Sequence, residues 1–217
     1  MTLSYPLSLG DFWSKLQLSQ LTMSLSDNVE TSETGGGEVI VARTGPQYWQ
    51  GEAVVPQGGV GMRDAEAALV QLARRPGVTF LATDPRRAYP QADPTGAGLV
   101  SATPVVDFVW DARDMTLAGL PNGYELTPGD HIEVQYGLPL RRYLGVVVVG
   151  GTGGPAGKAR VEVAPLLPAG VVAGDTGRLS QPSIEAVYVP GSYQPGARGA
   201  GSDGGFSFAF RQTFRPS

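Results

Sequence analysis

Glycine and proline interrupt this chain too often for it to be built mainly from helices. Its 217 residues include 31 glycines and 18 prolines. In a helix interior a glycine costs about 1 kcal/mol and a proline about 3 kcal/mol relative to alanine. The same residues punctuate short strands joined by turns. Between them lie enough apolar residues, 41% of the chain with three Trp, eight Tyr and seven Phe, to build a sizeable core and to argue against global disorder. A mainly β architecture is expected.

Local patterns place the elements. In "FWSKLQLSQLTMSL" (12–25) Leu16, Leu18, Leu21, Met23 and Leu25 recur mostly at every second residue, which predicts extended chain with a bulge between Leu18 and Leu21. The stretch "SDNVETSETGGGE" (26–38) is polar and acidic, with three consecutive glycines, and is expected as a loop or mobile hairpin tip; it carries Asp27, Glu30, Glu33 and Glu38. Strands are expected at "EVIVART" and "YWQGEAVVP". One helix stands out in "MRDAEAALVQLARRPG" (62–77), centred on 63–75. Ala65, Ala68, Leu69 and Leu72 share a face, Asp64 and Glu66 precede Arg74 and Arg75 as the helix dipole favours, and Pro76-Gly77 closes it.

The remainder reads as strands. "VTFLAT" predicts a buried one, 84–98 a proline-rich surface loop, and "LVSATPVVDFVWDARDMTLAGL" one or two more. A compact unit over 112–180 opens with "GDHIEV" after the Pro128-Gly129 turn and pairs "RRYLGVVVV" with "KARVEVAPL" as a hairpin. The tail "FSFAFRQTF" starts as a strand with Phe206, Phe208 and Phe210 on one face, led in by a flexible 193–205.

The glycine cluster in "VVVVGGTGGPAGKARVEV" (146–163) invites a nucleotide-binding reading. A phosphate loop needs glycine where Thr152 stands and a hydroxyl where Ala159 stands. Gly151, Gly153 and Ala156 do match the dinucleotide pattern, but that pattern must open a helix whose amides hold the pyrophosphate. Here Val161 and Val163 alternate with Arg160 and Glu162, the period of a strand. The glycines are read as a turn, and no cofactor is expected.

Other chemistry is thin. His131 is the only histidine, no G-x-S-x-G elbow accompanies it, and one ring cannot make a histidine-rich metal site; it is read as a surface or partly buried strand residue. Asp107 and Asp111, flanking Trp110, and the later Glu185 are candidates for paired carboxylates, read by default as solvent-facing. The acids of 26–38 lack the spacing of a calcium loop. Absence of cysteine excludes disulfides, thiolate zinc sites, iron–sulfur clusters and a thiol nucleophile. With 16 basic against 20 acidic residues, no surface for tracking phosphates is indicated. The pairs Arg74-Arg75, Arg86-Arg87 and Arg141-Arg142 are read as solvated element ends. No secretory leader and no apolar run of membrane-spanning length is visible, so a soluble, non-enzymatic protein without membrane insertion is expected. Tyr48, Trp49, Trp110, Tyr188 and Tyr193 leave a carbohydrate-binding β-sandwich open as a second class of function.

Read together, the single helix "DAEAALVQLARRPG", the strand "VTFLAT", the segment "LTPGDHIEV…LRRYLGVVVVGGTGGPAGKARVEVAPLL" and the closing "FSFAFRQTF" resemble the distal tail proteins of siphophages and related gene transfer agents. These form a ring of the tail tip or baseplate. The resemblance implies a β-sandwich with one flanking α-helix, made by 1–111 and 181–217, plus a small inserted β-barrel-like domain at 112–180. Better-known members end in a larger galectin-like domain, for which this chain has no room. It further implies a homo-oligomeric, six-fold ring in the virion tail, assembled in the bacterial host cytoplasm. The ring would continue the tail tube protein, dock hub and tip proteins, and let DNA pass without specific binding. Exposed strands that invite pairing between copies agree with this. On this reading Asp27, Glu30, Glu33 and Glu38 belong to an assembly loop that orders in the ring and gives its lumen a charge that repels DNA.

Overall fold

A computed structural model describes residues 4–197 and 199–214. The first half contains β1 (Gln20–Leu25), β2 (Val29–Glu33), β3 (Val39–Arg43), β4 (Trp49–Val55), helix α1 (Asp64–Ala73) and β5 (Phe80–Ala82). There follow β6 (Val105–Val109), β7 (Asp114–Ala118), the short β8 (Glu125–Leu126), β9 (His131–Tyr136), β10 (Arg141–Val149), the short β11 (Gly151–Thr152), β12 (Ala159–Ala164) and β13 (Thr176–Arg178). The chain then returns through β14 (Ile184–Tyr188), β15 (Gln194–Pro195) and β16 (Phe206–Gln212). An open antiparallel sheet has the order β1-β4-β16-β14-β5, with β15 also on β16, and a closed barrel has the order β10-β12-β7-β6-β13-β9. The fold is mainly β: sheet layers with one flanking helix and a small barrel, in agreement with the sandwich-plus-barrel class read from the sequence.

Aromatic residues organise the open sheet. Phe206, Phe208 and Phe210 point to one face of β16 and are buried, as their period-two spacing requires. Phe12 packs on Phe80 at 4.7 Å between centroids, and Trp13 meets Phe210 edge-on at 5.1 Å. This contact corrects the extended reading of 12–25. Phe12, Trp13 and Leu16 reach one core only if the chain turns there, so Trp13–Lys15 form a 3-10 turn and the strand begins at Gln20. The Trp13 indole N–H donates to the Thr83 carbonyl at 2.8 Å, which fixes the turn on the far edge of the sheet.

Helix α1 also departs from its expected face. Ala65 and Ala68 are exposed, Leu69 and Leu72 are half-buried, and the buried positions are Glu66, Val70 and Ala73 with Arg63 just before the helix. A charge pair makes this possible. Arg63 binds both Glu66 carboxylate oxygens at 3.2 and 3.0 Å, and each also bonds Gln17. Partnered in this way, two charged side chains can sit in a place that alternation of apolar residues would not assign them.

The barrel strands run from Val105 to Arg178, so the sequence boundary at 112 falls in the turn between two of them. Ile132, Val134, Leu117, Met115 and Val161 fill its interior. β10 and β12 are antiparallel neighbours, as the hairpin reading requires. Between them the chain detours through β11, which pairs with β8. The glycines permit this detour: a Cβ on Gly151 would lie 2.2 Å from the Arg160 carbonyl oxygen. One on Gly157, at φ +66°, would lie 2.4 Å from that of Leu120.

A buried polar seam joins barrel and sheet. Glu133 on β9 is fully buried and accepts from Arg142 on β10, from Gln135 at 2.7 Å, and from the backbone N–H and hydroxyl of Ser183 at 2.8 and 3.0 Å. Arg142 is therefore not the solvated strand end expected of it, because the carboxylate needs its charge. Beside the pair, the Trp49 indole donates to the Leu144 carbonyl at 2.8 Å, and Gln212 bridges the Trp49 N–H and the Arg142 carbonyl.

Candidate functional site

The most distinctive surface is an arm. β2 and β3 pair only with each other and form a separate two-stranded ribbon, every residue of which is exposed. The segment 26–38, expected as a loop or mobile hairpin tip, is the first strand and the tip of a hairpin. The ribbon prolongs the β1/β4 ladder through Ser26 N–H to the Tyr48 carbonyl at 2.9 Å and Thr44 N–H to the Asn28 carbonyl at 3.0 Å. At the tip, Thr34 N–H donates to the Glu38 carbonyl at 2.9 Å, with Gly37 at φ +81° closing the turn.

Cross-strand register fixes the two faces. Val29, Thr31 and Glu33 stand opposite Arg43, Val41 and Val39, while Glu30 and Ser32 stand opposite Ala42 and Ile40. Val39, Ile40 and Val41 are 55%, 53% and 59% exposed. An isolated two-stranded ribbon is at best marginal in water, and its outer edges present unpaired N–H and C=O groups. Both edges and both faces of this one lack a partner among the described residues.

The four acids singled out in the sequence all lie on this arm, but not on one side of it. Asp27 is at the root, Glu30 and Glu33 face opposite ways, and Glu38 is in the tip turn. Arg43 is the only basic residue of 26–43. At the arm's root an apolar cleft of about 490 Å³ opens between Pro46, Tyr136, Tyr143, Leu167 and Phe214. β3 falls within the strand expected at "EVIVART", whereas alternation did not reveal β2, which carries one apolar residue in five.

The remaining candidates do not converge. His131 opens β9, buried against Trp49 at 5.6 Å, and its Nδ1 has no hydrogen-bond partner among the described residues; of the surface or partly buried strand residue expected, the strand holds and the burial is more complete. Burial, and then the charge of Arg87, push its pKa down to about 4. Asp107 pairs with Lys158 at 2.8 Å, whereas Asp111 accepts the backbone N–H groups of Arg113 and Asp114 at 2.6 and 3.0 Å, which hold its pKa down. Glu185 is buried in β14, so the solvent-facing reading is corrected for it. Of the aromatic candidates, Trp49 and Tyr188 are buried, Tyr193 lies half-buried against Phe206 with Arg74 over its ring, and Tyr48 is half-buried under Arg211. Trp110 alone is exposed. Arg198, within the glycine-rich 193–205, lies outside the described residues. No described helix is long and apolar enough to cross a membrane.

No protein-family model matches the chain, and no curated protein matches it significantly.

Proposed function

We propose that this chain is a structural protein of a phage-like tail tip, forming a ring at the distal end of the tail tube through its arm and open strand edges. The observation that carries the proposal is the β2/β3 arm, an exposed ribbon whose valine and isoleucine side chains have no cover in the single chain. Pairing with a different strand edge of a neighbouring copy would satisfy the backbone groups and bury those side chains. A head-to-tail contact of this kind closes into a ring when the rotation between copies allows. The rigid seam between sheet and barrel suits a load-bearing part, since the two layers are held as one block.

In this reading the ring joins the tube protein on one side and hub or tip proteins on the other. Four acids against one base on each arm would give an arm-lined lumen a negative field, through which DNA passes without sticking. The chain acts without catalysis or cofactor. An antibody raised against the barrel, applied to tailed particles from cells that encode the chain, should label one end of the tail tube. Label spread along the tube, or particles free of it, would refute the assignment.

A further inference from the structure

Phe108 of β6 and Trp110, just past its end, stand outside the barrel because a bulge turns them there. Val106 points inward and is buried, so unbroken alternation would send Phe108 and Trp110 into the core after it. The register of β6 on β7 instead shifts between Val106 and Phe108. Val109 then packs against the barrel core, while Phe108 and Trp110 are left 50% and 56% exposed. Bulges are over-represented where a strand re-aims a side chain toward a functional surface.

What stands outside is held in place. The Trp110 indole N–H donates to the Thr116 hydroxyl at 3.0 Å, and Phe108 meets the indole edge-on at 4.8 Å between centroids. The Arg160 guanidinium lies over one face of the indole, 4.7 Å from its centroid, and is itself held by Asp114 at 2.7 Å. Lys158 binds both oxygens of Asp107 at 2.8 Å. Neighbouring strands β6, β7 and β12 thus hold one indole with Arg160 over one face, and a second ion pair joins Asp107 of β6 to Lys158, just before β12.

We propose that this platform binds carbohydrate, with the C–H face of a neutral pyranose stacked on the Trp110 face that Arg160 leaves open and its hydroxyls engaging Asp107 and Lys158. The ligand chemistry follows from the layout. A pyranose is apolar on one face and ringed by hydroxyls, which matches an apolar ring bordered by polar groups. An ion-paired carboxylate or ammonium keeps acceptor and donor capacity beyond its partner. The two pairs balance in charge, which suits an uncharged ligand. Side chains already fixed in place lower the ordering cost of binding. A stable protein contact needs roughly 800 Å² on each partner, and the apolar part of this patch is only two rings wide. The site does not depend on ring assembly and would be present in a single copy.

The test uses the full chain and its tryptophan fluorescence, because Trp13 and Trp49 are buried and Trp110 dominates quenching by acrylamide. Neutral oligosaccharides of glucose, galactose, mannose and N-acetylglucosamine are titrated singly, with calorimetry in parallel. One of them should protect Trp110 saturably. Trp110→Ala should lower that affinity at least tenfold, and Thr116→Val, which only frees the indole, several-fold. Protection by none of the sugars, or binding that survives W110A, would overturn the site. So would a W110A variant that loses self-association while the parent binds no sugar, since the patch would then be a protein interface.

Discussion

His131 is the residue whose setting most directly makes a measurable prediction. Folding takes it from water, where its pKa is about 6.5, to a buried site where the value is about 4. Asp84 and Asp130 act in the opposite direction to burial and Arg87 but do not reverse the shift. The unfolded chain therefore binds the extra proton first as pH falls. Stability is fully present above pH 6.5 and declines between 6.5 and 4, by roughly 3 kcal/mol in total. Urea unfolding across that range should show the decline, and His131→Gln should flatten it. A slope unchanged in H131Q would show that the imidazole titrates as freely in the folded protein as in the unfolded chain. Arg142 and Glu66 teach a related lesson. Nothing in "LPLRRYLG" or "RDAEAAL" distinguishes a buried charge from a solvated one, because burial follows from how the chain packs around the pairs: Glu133 across the β9/β10 ladder for Arg142, and Gln17, far away in sequence, over the Arg63–Glu66 pair.

At the scale of elements, strands with a clear period were legible and those serving a partner were not. β16, β12 and β9 show apolar alternation or density because each covers a core within the chain. β1 was legible from Gln20 onward, and the preceding turn was hidden because apolar spacing does not report which way a chain bends. Of the arm, β3 was legible in "EVIVART", and β2 gave little signal since the chain itself never buries it. That arrangement separates folding from assembly. Ile40→Lys combined with Val41→Lys alters only exposed side chains, so single-chain stability should change by no more than about 0.5 kcal/mol. Self-association should be lost. If the double variant associates as the parent does, the arm is not the contact.

For the whole molecule, the architecture is that of a rigid block with one projecting ribbon. The buried seam fixes barrel to sheet, the apolar cleft lies at the arm's root, and the aromatic platform sits on the barrel's outer wall. The mainly β class and a compact strand unit were readable from glycine and proline punctuation and from the strands around the turn at 150–157, whereas a barrel was expected only from the resemblance. The role of the acidic segment as an arm required the register of β2 on β3, which its composition does not encode. Assembly is the central claim, and mass in solution with negative-stain electron microscopy tests it most directly, comparing the intact chain with one in which 29–43 is replaced by a two-residue turn. Closed rings with a central hole from the intact chain, and a folded monomer from the shortened one, are the predicted result. A monomer from the intact chain at high concentration, indifferent to loss of the arm, would contradict it.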